Sequence, residues 1–309
     1  MPPFLTPDTF FRGDNKVESL DEETNYIDVV EINDHTLYFY WGRHKDHSEM
    51  GMRLGGGTHA IYRGESAIMV DTMDLPGQGE WVKNHLQTKY AIKNFTAVNT
   101  HWHLDHISGN HLYQNGSIIG HADTRKIILA NKDAIEAGTL WGPPAFPAVP
   151  PNVTFKGRMD LWLEDLKVEL HEFKIHCAGH LAVYLPDDKI LLAADMLEDP
   201  IWIFNFDSAK PDTQLAEFER MMAMDIERIY PSHCDLGTVK AGGYDRRFIK
   251  NNANYLKRMI AEADHSDFGT KTGPVYIDDA LAAGELVWWE PYSEIHARNI
   301  DTIRSLRSS

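Results

Sequence analysis

Short apolar runs dominate the first part of the chain, each ending within about six residues. Tyr26-Ile27-Asp28-Val29-Val30, Leu37-Tyr38-Phe39-Tyr40-Trp41, His59-Ala60-Ile61-Tyr62 and Ala67-Ile68-Met69-Val70-Asp71 follow one another with polar breaks. Alternation and shortness of this kind predict an antiparallel meander. The period then changes. From Glu80 to Lys89 the apolar positions Trp81, Val82, His85 and Leu86 fall at helical spacing, and Phe95–Thr100 and Ser117–Gly120 read as buried strands. Strands alternating with helices imply α/β layering.

The second part repeats the sequence of strands, then helices. Val168–Phe173 alternates as a strand, and Leu181–Leu185, the turn Pro186–Lys189 and Ile190–Ala194 form a hairpin. Thr213–Arg228 is amphipathic through Leu215, Phe218, Met221, Met222 and Ile226, and Ile229-Tyr230-Pro231 is a short last strand. Residues 244–263 read as one helix and 275–309 as further helices, with aromatic residues gathered at Trp288, Trp289 and Tyr292. Residues 1–24 are polar, contain proline and have no period, so an extended arm is expected. The Pro-rich segment 141–151 supplies few backbone donors and fixes φ, so it is a linker between two halves or a stiff loop over a site.

Composition narrows the function. The 309 residues carry a net charge of −16, which repels phosphate backbones and anionic lipid surfaces. Neither nucleic acid nor membrane is expected as a partner. No run of about 18 apolar residues occurs, and Met1–Asp8 has neither a basic region nor an apolar stretch, so no export signal is expected. With only Cys177 and Cys234, no disulfide framework holds the fold, and both are expected as small buried packing residues. These features suggest a cytoplasmic enzyme with a small-molecule substrate. Gly55–Ala60 formally fits a dinucleotide pattern but precedes a strand, so a hairpin turn is the better reading. No Gly-x-Ser-x-Gly elbow is present, which disfavours serine-hydrolase chemistry.

The unusual count is 16 histidines. After the strand 95–100 comes His101-Trp102-His103-Leu104-Asp105-His106, in which four of six residues can bind a metal. Side chains alternate in extended backbone, so residues 101, 103 and 105 share one side and His106 points elsewhere. The loop can give two histidines to one ion, and its Asp and third His to a second. Zinc favours such nitrogen and oxygen donors and needs three or four of them. Further ligands must come from elsewhere. His180 sits just before the strand 181–185, Asp195 ends the strand 190–194 and His233 ends the strand 229–231. The strand ends at residues 101–106, Asp195 and His233 share an edge in a layered α/β protein, where ligands gather. His121, after the strand 117–120, either points into the site or, as the better reading, lies on the surface. His35, His44, His47, His85, His171, His176, His265 and His296 are expected to have no role in the site.

The run 101–106 resembles the H-x-H-x-D-H motif of the metallo-β-lactamase superfamily. His180, Asp195 and His233 follow in that family's order, and Asp71 matches the Asp that ends an early strand there. The resemblance covers about residues 25–240 and departs from the family in Ala178-Gly179-His180, where Pro-Gly-His is usual. It implies a four-layer αββα sandwich over 25–240, its halves joined by 141–151, with 241–309 as a C-terminal helical extension that caps the site or forms a homodimer contact. It implies a first metal on His101, His103 and His180 and a second on Asp105, His106 and His233, bridged by Asp195. Asp71 would orient the loop from behind. The implied activity is a hydrolase with two zincs per chain. A metal-held hydroxide attacks the carbonyl of an ester, lactone, thioester or lactam, and Asp105 and Asp195 are the catalytic carboxylates. Iron or manganese fit nearly the same ligands, so a one-iron persulfide dioxygenase and a phosphoester hydrolase are the alternatives. Trp102, Trp141, Phe146, Trp202 and Phe204 are the candidates for an apolar substrate pocket, with core packing as the competing reading.

Overall fold

The structure is a computed structural model that describes residues 27–42, 54–142, 144–200 and 210–308. The expected arm 1–24 and the pocket candidates Trp202 and Phe204 lie outside the described residues. The chain forms two compact units, Met1–Phe155 and Lys156–Ser309. The division falls just after the Pro-rich segment.

The first unit is built on a seven-stranded sheet with its strands in chain order. β1 (Asp28–Asn33), β2 (Thr36–Trp41), β3 (Gly56–Arg63) and β4 (Ser66–Val70) are the expected antiparallel meander. β5 (Asn94–Asn99), β6 (Ser117–His121) and β7 (Val153–Phe155) continue it in parallel. Parallel neighbours need crossovers, and the helix Pro76–Lys89 supplies the first of them. One face of the sheet carries Leu37, Phe39, Ala60, Met69 and Ala97, packed with Val82 and Leu86 of that helix. The opposite side chains Tyr38, Tyr40 and His59 are buried too.

The Gly-rich stretch corrects one expectation. Gly56 and Gly57 are not in the turn but in β3, paired with Trp41 and Tyr40. The Tyr38 ring lies across Gly57, where an added Cβ would come within 2.3 Å of its hydroxyl oxygen. Glycine is needed for that close approach, not for a turn.

The second unit holds a five-stranded sheet in the order β12-β11-β10-β9-β8. β8 (Arg158–Leu163), β9 (Leu166–Glu172), β10 (Leu181–Leu185) and β11 (Ile190–Ala194) are antiparallel, and β12 (Arg228–Pro231) adds in parallel. β8 was not expected, although Met159, Leu161 and Leu163 alternate with Arg158, Asp160 and Trp162. The helix Pro211–Met222 is shorter than its apolar period, which runs on to Ile226. Past Met222 the amides of Glu227 and Arg228 donate to the Lys189 carbonyl, drawing the chain into β12.

Helices Arg247–Glu262 and Tyr292–Ser308 lie within the same compact unit. The Asn299 amide donates to the Tyr255 hydroxyl, which meets His296 Nδ1 at 2.8 Å. His296 Nε2 donates in turn to the Lys271 carbonyl. Among the described residues no helix is long and apolar enough to cross a membrane.

Candidate metal centre

The first unit's candidate ligands follow β5. At the end of β4 the chain turns sharply, with Asp71 at φ 66° and Met73 at φ 75°. Aspartate tolerates this left-handed region better than most residues. The Thr58 hydroxyl lies between the carbonyls of Val70 and Asp71 and shares its one hydrogen between them, which holds the turn. The Asp71 carboxylate then reaches the loop. Its Oδ1 accepts from the Thr100 amide at 2.8 Å, and its Oδ2 from the Thr100 hydroxyl at 2.7 Å and His106 Nδ1 at 2.8 Å.

These contacts fix protons. The Thr100 hydroxyl has one hydrogen and gives it to Asp71, so at its 2.9 Å contact with His101 Nδ1 the oxygen accepts. His101 and His106 therefore both carry their proton on Nδ1. Their Nε2 atoms keep a lone pair, as metal-ligating histidines require. Asp71 thus orients the loop, and all three contacts of its carboxylate are made with loop groups.

The imidazoles are gathered. The ring of His101 lies 4.4 Å from that of His103 and 4.2 Å from that of His106. Ligand atoms of Asp71, His101 and His106 lie within 4.8 Å of one another. Asp105 Oδ2 is 3.3 Å from His106 Nε2. Two donors on one tetrahedral zinc at about 2.1 Å stand roughly 3.4 Å apart, so this pair has the spacing of shared ligands.

Aromatic side chains flank the loop. The rings of Trp102 and Trp141 are each about 5 Å from His103, at 4.7 and 5.0 Å, and 5.0 Å from each other. Phe146, a pocket candidate, is only 3% exposed. It packs with Leu104, Ile107, Ile128, Ile135 and Ala148, which makes it the support of the loop rather than a wall. The Pro-rich segment is therefore a stiff brace packed on the first unit. His121 is not on the surface: it is 1% exposed, and its Nδ1 accepts from the Asp123 amide to cap the helix Ala122–Ala130.

The second unit's candidates come from three turns. Ala194, at φ 47°, turns the chain at the end of β11 and presents Asp195. His233 follows β12, and its Nε2 lies 3.3 Å from Asp195 Oδ2, again the spacing of two ligands on one ion. The amides of Ser232 and Asp199 donate to the carbonyls of Ala194 and His233, which ties the two turns together. His180 precedes β10 and is fully buried.

His176, to which the sequence assigns no role, belongs to this cluster. It is 2% exposed, its Nε2 lies 3.7 Å from Asp195 Oδ2 and its ring 5.2 Å from that of His180. The one signal in the sequence is the four-residue spacing to His180. Cys177 and Cys234 are both buried. Buried imidazoles and carboxylates with these spacings suit a borderline cation such as zinc.

A family model described as the metallo-beta-lactamase superfamily matches residues 58–233. A curated protein named linear primary-alkylsulfatase, from Pseudomonas sp. (strain ATCC 19151), is 22% identical over 209 residues. That match takes in 55% of this chain and 39% of the relative, so the chain spans well under half of that protein. Among solved structures, a metallo-beta-lactamase from Pontibacter korlensis superposes with TM-score 0.59 at 18% identity, over 75% of this chain and 99% of its own. The metallo-beta-lactamase FIM-1 from Pseudomonas aeruginosa, solved in a mono-zinc form, gives 0.57 at 15%, over 75% and 96%. At such identities the likeness is one of fold: mixed α/β, with two sheets and helices.

Proposed function

Because the chain belongs to the metallo-beta-lactamase superfamily, we propose that it is a metal-dependent hydrolase of small molecules with two zinc ions per chain. The bond cleaved is a carbonyl bond in an ester, lactone, thioester or lactam. The observation that carries this reading is the Asp71–Thr100 network, which leaves Nε2 of both His101 and His106 as lone-pair donors beside Asp105.

In this reading the first unit would give His101, His103, Asp105 and His106 to the ions, and the second would give His180, Asp195 and His233. Zinc, when bound, would lower the pKa of its water to roughly 7 and polarise the oxygen of the electrophile. The chain's own part is to position and to move protons. Asp71 keeps Nδ1 of His101 and His106 protonated through the cycle. Asp105 orients the nucleophile and accepts its proton on a carboxylate oxygen. Trp102 and Trp141 offer an apolar face for an acyl group. A net charge of −16 favours neutral or cationic substrates over polyanions.

Elemental analysis of the purified protein comes first, followed by a panel of esters, lactones and thioesters. About two zincs per chain with turnover of any of these supports the reading. About one iron per chain, with oxygen uptake on thiol or persulfide substrates, replaces it by the dioxygenase. The alkylsulfatase match carries a second reading, hydrolysis of sulfate esters. Alkyl sulfates belong in the panel, and sulfate release without acyl hydrolysis would shift the assignment to that bond.

A further inference from the structure

We propose that His176 is a metal-binding residue of this centre and that Glu198, held by Tyr292, is the carboxylate that fixes its ring; this rests on the metal-site reading above. The two ring nitrogens of His176 face different partners. Nε2 lies 3.7 Å from Asp195 Oδ2, and Nδ1 lies 3.9 Å from Glu198 Oε1. At 3.9 Å the Glu198 contact is longer than a hydrogen bond, but the ring is turned as in a carboxylate–histidine–metal triad, one nitrogen toward the ligand oxygen and the other toward a carboxylate.

The support around it is built rather than incidental. Glu198 is fully buried, and a buried carboxylate is costly unless it is hydrogen-bonded. Its Oε2 accepts from the Tyr292 hydroxyl at 2.9 Å, across 94 residues of chain. Its amide donates to Asn252 Oδ1 at 3.3 Å. The loop that carries His176 is pinned as well. The Phe173 amide donates to the His180 carbonyl at 3.0 Å, closing the loop, and Gln214 Nε2 donates to the Ile175 carbonyl at 2.8 Å. Backbone and side-chain contacts thus hold the loop that carries His176, and the helix Tyr292–Ser308 holds Glu198 beside it. His176 and His180 are then two imidazoles of one cluster, and the ion near Asp195 has one more nitrogen donor than the family motif provides.

Cobalt(II) titration followed by visible absorption tests this on the full-length protein, with chelator competition for affinity and circular dichroism for folding. Wild-type protein should bind cobalt with ligand-field bands. His176→Ala and His176→Gln should change the intensity or position of those bands while the fold persists. Glu198→Gln and Tyr292→Phe should keep the fold and weaken cobalt affinity about 10–100-fold, as loss of an outer carboxylate or its anchor does. If all four variants bind cobalt with wild-type bands and affinity, His176 is not a ligand and the inference falls, while the hydrolase reading stands. If the wild-type protein itself binds no cobalt and no zinc, both fall.

Discussion

In the first unit the metal-type side chains come from one hexapeptide, His101–His106; in the second they come from four separate positions, His176, His180, Asp195 and His233. The first set is held by near neighbours in the sheet: Asp71 at the end of β4 bonds Thr100 and His106 directly. The second is held from far along the chain, by Gln214 on one helix and, through Glu198, by Tyr292 on another. A site built from one loop depends on the turn that aims it. A site built from scattered residues depends on the packing of whole helices.

The largest effect that tests this contrast is chemical. Asp105→Asn and Asp195→Asn should each lower kcat by about 10²–10⁴, the usual worth of a positioned acid or base, with thermal unfolding little changed. Steady-state kinetics on the first substrate found would check both. Equal losses would mean that local and scattered assembly serve one chemical step. Wild-type turnover in either variant would remove that carboxylate from the mechanism.

Next is support of the loop. Phe146→Ala should cost about 3–5 kcal/mol in denaturant unfolding, because a buried ring is lost from beneath the loop. Zinc content should fall with it. A loss below 1 kcal/mol would show that the Pro-rich brace does not hold the hexapeptide.

Smaller again is the orienting carboxylate. Asp71→Asn should weaken zinc binding about 10–100-fold in a chelator titration. The amide keeps a hydrogen-bonding group there but loses the charge that accepts from Thr100 and His106. Unchanged affinity would leave the loop self-sufficient and sharpen the contrast further.

The most gradual expected effect is in stability against pH, spread over the whole window between two pKa values. Burial holds the His59 imidazole far below its ordinary 6.5, at about 3. The unfolded chain therefore binds one more proton than the folded one between those values. Stability from this group is full above pH 6.5 and is lost as pH falls toward 3. His59→Leu should remove about 1.4 kcal/mol per pH unit from the slope across that window. An unchanged acid limb would show that other groups set it.

How much of this was readable in the chain follows from the same contrast. The hexapeptide and the strand ends at Asp195 and His233 are local features, and β5, β11 and β12 stand where the apolar runs put them. Asp71 is legible for the same reason, as the polar residue that closes an apolar strand. Glu198 is not. Among 46 acidic residues nothing local marks it, because its burial depends on a tyrosine 94 residues away. His176 sits in an irregular loop where no period could aim it, and β8 hid its alternation behind charged residues and an exposed Trp162. Gly57 looked like a turn because its cause, the Tyr38 ring, lies on another strand.

The contact between Tyr292 and Glu198 also sets a clock. At about 5–20 residues per second, the 94 residues that separate them take roughly 5–20 s to synthesise. During that interval each new chain has Glu198 without the hydroxyl that meets it in the finished protein. The hexapeptide and its orienting aspartate, by contrast, are made within a few dozen residues of each other. In a growing chain the second cluster is therefore completed after the first, and a chain stopped before Tyr292 leaves the ribosome with that carboxylate's anchor missing.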